Sequence, residues 1–333
     1  MRACGTESLI SRVGNDLQNF CRYICVPMPP ANQISVIIPH FNQPAFLTRC
    51  LASLGAQTGD VPPHEVIVVD NGSREVPHDV VAAFPGVRLI QETTPGPGPA
   101  RNAGVAEATG GILAFIDADC LADPGWLARI AGHFVANPDH GILGGDVYIA
   151  REDPDRATLL EAYESVYAYR MREYIAKQGF TGTGNLGVRA DVMAAVGPFG
   201  GKEIAEDRDW GQRGTAQGHT THYVADMIVY HPARRTMAEL QAKWDRHTAH
   251  DFERMAAQGG LWRLRWLIRT GAVAVSPVPE ILRIARSGRI SGLRERGLAF
   301  WGLLRIRAYR ARIMARLVFA RNAHALSGAW NRD

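Results

Sequence analysis

The apolar run Ile112–Ile116 stops abruptly at Asp117, and a second carboxylate, Asp119, follows two positions later. Preceded by Gly110 and Gly111 and carrying nothing polar, such a run reads as a strand buried on both faces of a parallel sheet. Residues i and i+2 of an extended chain point the same way, so both carboxylates would face one ligand. They would do so at the carboxyl end of the strand, where open α/β sheets bind ligands. Two hard oxygen donors there suit Mg²⁺ or Mn²⁺ carrying substrate phosphates; two acids that merely end a strand at a solvated loop would look the same.

The neighbouring segments supply a sheet for that strand. Ile34–Ile38 is β-rich and is stopped by Pro39, Glu65–Val69 runs into Asp70, and Val87–Ile90 is a short third strand. Between them Pro44 opens a helix through Leu54, Ala100–Ala108 is helical, and Asp123-Pro124 opens a helix through Val135. Strands alternating with helices at this spacing predict an α/β, doubly wound, mostly parallel central sheet with helices on both faces. After His140 the spacing predicts a strand over Gly141–Ile149, one long helix over Ala157–Ala176 and a glycine-rich stretch over Phe180–Gly201. A helix over Ala205–Gln217 and a strand over Thr221–Tyr230, ending at His231, follow. Residues 1–33 read as an extension ahead of the fold, 34–232 as the main domain with halves 34–140 and 141–232, and 233–333 as a basic helical region.

Charge is distributed unevenly. The formal net charge of the 333 residues is only +4, yet arginines crowd Leu261–Asp333 against Glu280, Glu295 and Asp333. Trp262, Trp266 and Trp301 interleave with them, a composition suited to an anionic membrane surface through residues 261–321, or to a basic subdomain packed on the body. A wheel over Arg305–Arg316 gives no clean apolar stripe. Nucleic-acid binding is not expected, because it leaves the acids of the body unexplained. The five cysteines include no C-x-x-C pair, which fits a reducing compartment. Arg12, Asp16 and Arg22 interrupt any signal-peptide core, and Thr270–Pro279 is far short of the ~20 apolar residues of a span. The expectation is a cytoplasmic protein, peripheral at the membrane if the tail docks there.

Several further residues have chemistry to offer. Asp70, at the end of the second strand, could accept hydrogen bonds from a ribose or base, or could simply form the turn into Asn71-Gly72. Thr94–Asn102 is glycine-rich, but Pro97 and Pro99 lack the N–H donors of a phosphate cradle, so it is not a dinucleotide loop. Arg101-Asn102 is better read as a guanidinium and an amide poised for a diphosphate or a base edge. In Glu206-Asp-Arg-Asp-Trp210, Asp209 and Arg213 are spaced for a surface ion pair. Glu206 and Asp207 diverge on any helix, so one could face a cleft as a general base. His231 could be a metal ligand or a structural histidine.

Taken in order, Ser35–Asn42, Val68–Ser73, Ala100–Gly104, Phe115–Asp119, Gly184–Arg189 with Val196–Phe199, and Glu206-Asp207 resemble the family 2 glycosyltransferases of GT-A fold. These are inverting enzymes that use nucleotide-diphospho-sugars. The resemblance covers about Ile34 to His231. It implies a Rossmann-like sheet, a nucleotide pocket lined by Pro39 and Asn42, and Asp70 on the base. Arg101 and Asn102 would lie beside the nucleotide, with Arg101 stabilising the leaving diphosphate. Asp117 and Asp119 would be the Asp-x-Asp pair, with Asp119 binding a divalent cation (Mg²⁺ or Mn²⁺) and His231 completing the metal site. Asn185 would belong to the donor-sugar and acceptor loop, Asp207 would be the catalytic base, and Glu206 and Trp210 would lie on the acceptor side. Trp210 stands where a leucine is usual, implying an altered acceptor pocket. Implied partners are a nucleotide-diphospho-sugar donor and a saccharide or lipid-linked acceptor, in cell-envelope polysaccharide or glycolipid synthesis. Weighed against this are a nucleotidyltransferase, for which Pro39–Leu47 lacks the lysine- and glycine-rich loop, and a non-catalytic sugar-nucleotide-binding protein.

Overall fold

Alternation decides the two faces of the sheet. In β1 (Ile34–His40), Ile34, Val36 and Ile38 enter one apolar cluster and Ile37 enters another. In β4 (Ile112–Ile116), Ile112, Ala114 and Ile116 join the first cluster, and Leu113 and Phe115 the second. Both faces are dry, and the one polar side chain in these strands ahead of their ends, Ser35, is paired: it donates to Glu65 Oε1 at 2.7 Å and accepts from the Gly110 N–H at 2.8 Å. The computed structural model describes residues 33–201 and 203–318. Nearly all of the expected 1–33 extension and the end of the basic tail, including Arg321 and Arg332, lie outside the described residues.

The sheet has eight strands in the order β3-β2-β1-β4-β7-β6-β8-β5. Beyond β1 and β4 these are β2 (His64–Asp70), β3 (Val87–Gln91), β5 (Leu121–Ala122), β6 (Ile142–Ala150), β7 (Asn185–Arg189) and β8 (Thr221–Pro232). Strands β1 to β4 pair in parallel, β7 is antiparallel to both β4 and β6, and β8 is parallel to β6. Two reversals cancel, so β6 and β8 run the same way as β4. The ends of β1, β2, β4 and β8 therefore lie along one edge, and with them the start of β7, where Asn185 pairs with Ile116.

Helix α1 (Pro44–Gly55) and α4 (Trp126–Ala136) cover one face through Leu47, Leu51, Trp126 and Ile130. Helix α3 (Pro97–Glu107) covers the other face through Ala100. Between β2 and β3 lies the short α2 (His78–Ala82). Helix α3 begins three residues before the expected Ala100, because Pro97 and Pro99 sit in its first turn, where a missing N–H costs nothing.

The single helix expected over Ala157–Ala176 is two: α5 (Leu159–Tyr167) and α6 (Met171–Gln178). Thr158 and Glu161 form a capping box at the start of α5, and the chain breaks at Tyr169, whose φ is +48°. The break sets the Tyr169 ring 4.6 Å from that of His231. The glycine-rich stretch Phe180–Gly201 holds β7 and α7 (Ala190–Val196). Helix α8 (Glu206–Ala216) then leads to β8. The tail is helical as expected, in α9 (Met237–Ala257), α10 (Trp262–Val275), α11 (Pro277–Arg286) and α12 (Gly292–Leu317). Tyr163 and Val166 of α5 share a buried cluster with Leu240, Ile284, Leu303 and Ile306, so the basic helices pack on the body. Among the described residues, no helix is long and apolar enough to cross a membrane.

One buried amide ties the second half of the sheet together. Asn185 accepts from the Trp126 indole at 2.8 Å and donates to the carbonyls of Asp146 and Met227, each at 2.8 Å. Replacing it with alanine leaves an indole N–H and two carbonyls without partners in a dry interior. Asn185→Ala is expected to destabilise the fold by about 3 kcal/mol, read from the urea midpoint at unchanged m-value.

Candidate active site

The carboxyl edge of the sheet holds a cavity of about 560 Å³ whose lining includes Pro39, His40, Phe41, Asn71, Gly96, Arg101, Asp117, Asp119 and Glu206. Its size is that of a ligand site. The backbone at Asp117–Cys120 is a turn, with the Cys120 N–H donating to the Asp117 carbonyl at 2.9 Å. The i and i+2 geometry of a strand therefore does not apply. Asp117 and Asp119 line the same cavity, but each has a different partner.

Asp117 faces Arg101. This guanidinium, 3% exposed, donates to Asp117 Oδ1 at 2.7 Å and to Glu206 Oε1 at 3.0 Å. Arg101 thus joins the end of β4 to the start of α8 and brings the two acidic motifs together. It positions these carboxylates, and it also lines the cavity in which the resemblance places it against a leaving diphosphate. Gly184 leaves room for Asp117: a Cβ there would come within 2.6 Å of Asp117 Oδ2.

Asp119 faces His231. The imidazole Nδ1 is 2.7 Å from the Pro232 carbonyl, which can only accept, so the proton sits on Nδ1. Nε2 then lies 3.4 Å from Asp119 Oδ2, an ion pair when the imidazole is protonated and two donor atoms for one cation when it is not. Two electron-pair donors facing each other at that distance suit a shared cation, and imidazole plus carboxylate fits Mn²⁺ or Mg²⁺. Cys120 completes a cluster of three groups within 4.8 Å. Its thiol is buried and pushed far up by that burial and by Asp117 and Asp119, so it offers no thiolate. Burial also raises the Asp119 carboxyl; His231 opposes the rise and Asp117 adds to it.

Asp207 opens α8 beside Glu206. Burial raises its pKa, Glu206 and Asp117 add to the rise, and the Arg208 N–H at 2.7 Å and Arg101 oppose it. A carboxylate held above its ordinary value within reach of these charges is equipped to take a proton.

Other residues singled out from the sequence serve the fold instead. Asn42, at φ +55°, turns its side chain to accept from the Arg74 N–H at 2.9 Å and is not part of the cavity lining. Asp70 is 1% exposed and binds His40 Nδ1 at 3.0 Å and the Ser73 N–H at 3.1 Å, so it holds His40 and does not meet a base. Asn102 exchanges two hydrogen bonds with the Phe199 backbone. Asn185 is fully committed inside the sheet. Trp210 is a core residue: it is 2% exposed, its indole donates to the Gly197 carbonyl at 2.9 Å, and its ring lies 5.2 Å from Phe199. It anchors α8 and presents no acceptor surface. The Asp209–Arg213 pair forms as its spacing predicts, at 2.9 Å.

Sequence reasoning passed over His40, Phe41, Asn71 and Tyr169. The Gln43 N–H donates to His40 Nε2 at 3.2 Å, which leaves Nδ1–H for Asp70. Phe41 is 51% exposed at the cavity, although it follows the apolar β1 directly. Exposure of an aromatic ring there was the missing signal, and a sequence does not carry it.

The family model described as Glycosyl transferase family 2 matches residues 35–196. Glycosyltransferase AglE of Haloferax volcanii is 35% identical over 207 residues, covering 60% of this chain and 67% of AglE. An uncharacterized glycosyltransferase of Nostoc sp. is 32% identical over 180 residues, and the chain spans 54% of its length. In three dimensions the chain is similar to the mannosyltransferase PcManGT of Pyrobaculum calidifontis, solved with GDP-Man and Mn²⁺. The TM-score is 0.53 at 17% identity, covering 93% of this chain and 96% of that one.

Burial alone would raise the pKa of Asp70, but hydrogen bonds from Ser73 and His40 outweigh it and hold the carboxyl below its ordinary value. A depressed carboxylate stabilises the fold above the unfolded value of about 3.9 and loses that contribution as pH falls through its own lower value. The stability difference between wild type and Asp70→Asn, from urea midpoints, is expected to be widest at neutral pH and to close in acid.

Proposed function

The chain belongs to the family 2 glycosyltransferases, with the GT-A architecture, and on that footing we propose an inverting transfer from a nucleotide-diphospho-sugar to a hydroxyl of a saccharide or lipid-linked acceptor. The observation that carries this reading is the Arg101 bridge, which draws Glu206 at the start of α8 into the same cavity lining as Asp117 and Asp119, with Asp207 next in the chain to Glu206 and His231 facing Asp119. Family membership sets aside the nucleotidyltransferase reading.

Asp119 and His231 are the residues that would hold a divalent cation, Mg²⁺ or Mn²⁺, which when bound offsets the charge gathering on the departing diphosphate. Phe41, with Pro95 and Pro97 nearby in the lining, offers a flat apolar surface for a base. Asp207 takes the proton from the acceptor hydroxyl as that oxygen attacks the anomeric carbon opposite the leaving group, which inverts the centre. Arg101 keeps Asp117 and Glu206 fixed, so the walls of the site are already arranged when charge develops. Past Pro232 a second cavity, of about 810 Å³, is lined by arginines that include Arg49, Arg235 and Arg305. Their charge suits an acceptor that carries phosphate or another anionic group.

Asp207→Asn is expected to lower kcat by roughly 10²–10⁴ while leaving donor binding in place. Because the Asp207 pKa is raised, kcat/KM of the wild type falls on acidification at a higher pH than an ordinary carboxylate dictates, and the variant loses that limb of the profile. A variant with undiminished kcat removes Asp207 from the chemistry. His231→Ala is expected to abolish the thermal stabilisation that Mn²⁺ gives the wild type, measured without donor or acceptor. An unchanged shift in the variant moves the cation elsewhere.

A further inference from the structure

Helix α10 is apolar on two faces. Trp266 and Val273 point inward, where the Trp266 indole donates to the Met314 carbonyl at 2.9 Å. On the opposite side Leu264, Leu267, Ile268 and Val275 are 51%, 47%, 66% and 66% exposed. Their spacing, i, i+3, i+4 and i+11, with Gly271 at i+7, makes one stripe along the helix. Helix α11 differs in being apolar on one face: Val278, Ile281 and Leu282 are 68%, 50% and 61% exposed and continue the side on which Ile284 is buried. Among the described residues the first stripe is open, and of the second Leu282, with Arg286, also lines a cavity of about 660 Å³ shared with Ser165, Met171 and Glu173. Arg263 and Arg265 flank the first and Arg286 the second, all three exposed and, among the described residues, without a carboxylate partner within 4.0 Å.

We propose that α10 and α11 lie in the interfacial layer of an anionic membrane, their two stripes among the acyl chains and the flanking arginines at the headgroups. Charge selects this occupant. In a symmetric dimer formed through the same face, the arginine rims would approach one another, and like charges at a rim oppose association. A lipid surface of negative charge meets both features at once: apolar side chains enter the boundary and guanidiniums meet phosphates. The helices extend about 21 Å and 15 Å at 1.5 Å per residue, lengths suited to lying in the plane of a bilayer. The stripe differs from the one sought from sequence over Arg305–Arg316. Trp266, counted there among the membrane-facing tryptophans, is 0% exposed and belongs to the core. The surface is separate from the acidic cavity, and the inference does not depend on the proposed chemistry.

The test is co-sedimentation of the full chain with phosphatidylcholine vesicles, with and without about 30% phosphatidylglycerol, at low and high salt. Wild type is expected to bind the anionic vesicles and to be released by salt. Arg263→Gln with Arg265→Gln is expected to weaken binding about 30-fold, from about 1 kcal/mol per basic residue near such a surface. Leu264→Glu with Ile268→Glu, and independently Ile281→Glu with Leu282→Glu, are expected to weaken it about 100-fold or more with unchanged melting temperatures. Donor-sugar hydrolysis in solution, measured alongside, is expected to be unaffected by these surface changes, so a failure of docking is distinguishable from a failure of the catalytic reading. Wild type that ignores anionic vesicles, or stripe variants that bind as well as wild type, overturns the proposal. So does a wild-type dimer that the stripe variants render monomeric while no vesicle binding is seen, since the face would then belong to a second copy.

Discussion

A buried guanidinium with two carboxylates holds the candidate site together. Arg101 reaches from α3 to Asp117 at the end of β4 and to Glu206 at the start of α8, segments separated by most of the domain. An arginine suits this position because its planar fork can address two acceptors at once, whereas a lysine offers a single point charge. Desolvating such a group is costly, and the two carboxylates offset the cost only while both stay in place. Geometry on one side of the cavity is therefore coupled to geometry on the other. Among the described residues Arg101 Nε has no partner, which makes the bridge depend all the more on its two terminal nitrogens.

The Asp119–His231 pair depends on backbone features that surround it. His231 ends a strand that shares the direction of β4 because two antiparallel pairings intervene. Its proton is fixed on Nδ1 by the next residue's carbonyl, which turns the other nitrogen toward Asp119. The break between α5 and α6 places Tyr169 against the same imidazole. Each of these constraints orients the ring, and orientation is what a ligand needs before an ion arrives.

The C-terminal helices carry apolar surface both inward and outward. They pack on α5 through Leu303 and Ile306, and they also leave apolar stripes on α10 and α11 facing outward. Helix α10 is apolar on opposite sides and so has a weak net amphipathic signature, and its residue pattern alone conceals which side is open. Packing of Trp266 against α12 settles the question by burying one of them.

Local forces made much of the fold legible in the residue order. Apolar runs marked β1, β2 and β4, prolines marked the approach to α1 and α4, and the acid-bearing ends of strands pointed to one edge. Polar residues were harder, because a polar side chain can meet a ligand or satisfy a backbone group from far along the chain. Asn42, Asp70, Asn102 and Asn185 all took the second course, bonding to segments some 30 to 100 residues away. Trp210 did likewise, closing onto Gly197. Sequence by itself determined most of the strands and helices, though not the break at Tyr169 or the strand and helix within Phe180–Gly201, because burial patterns and caps act over a few neighbours. Only the tertiary structure decided which carboxylates face the cavity and which amides brace it, because that choice rests on hydrogen bonds between parts of the chain that meet only after folding.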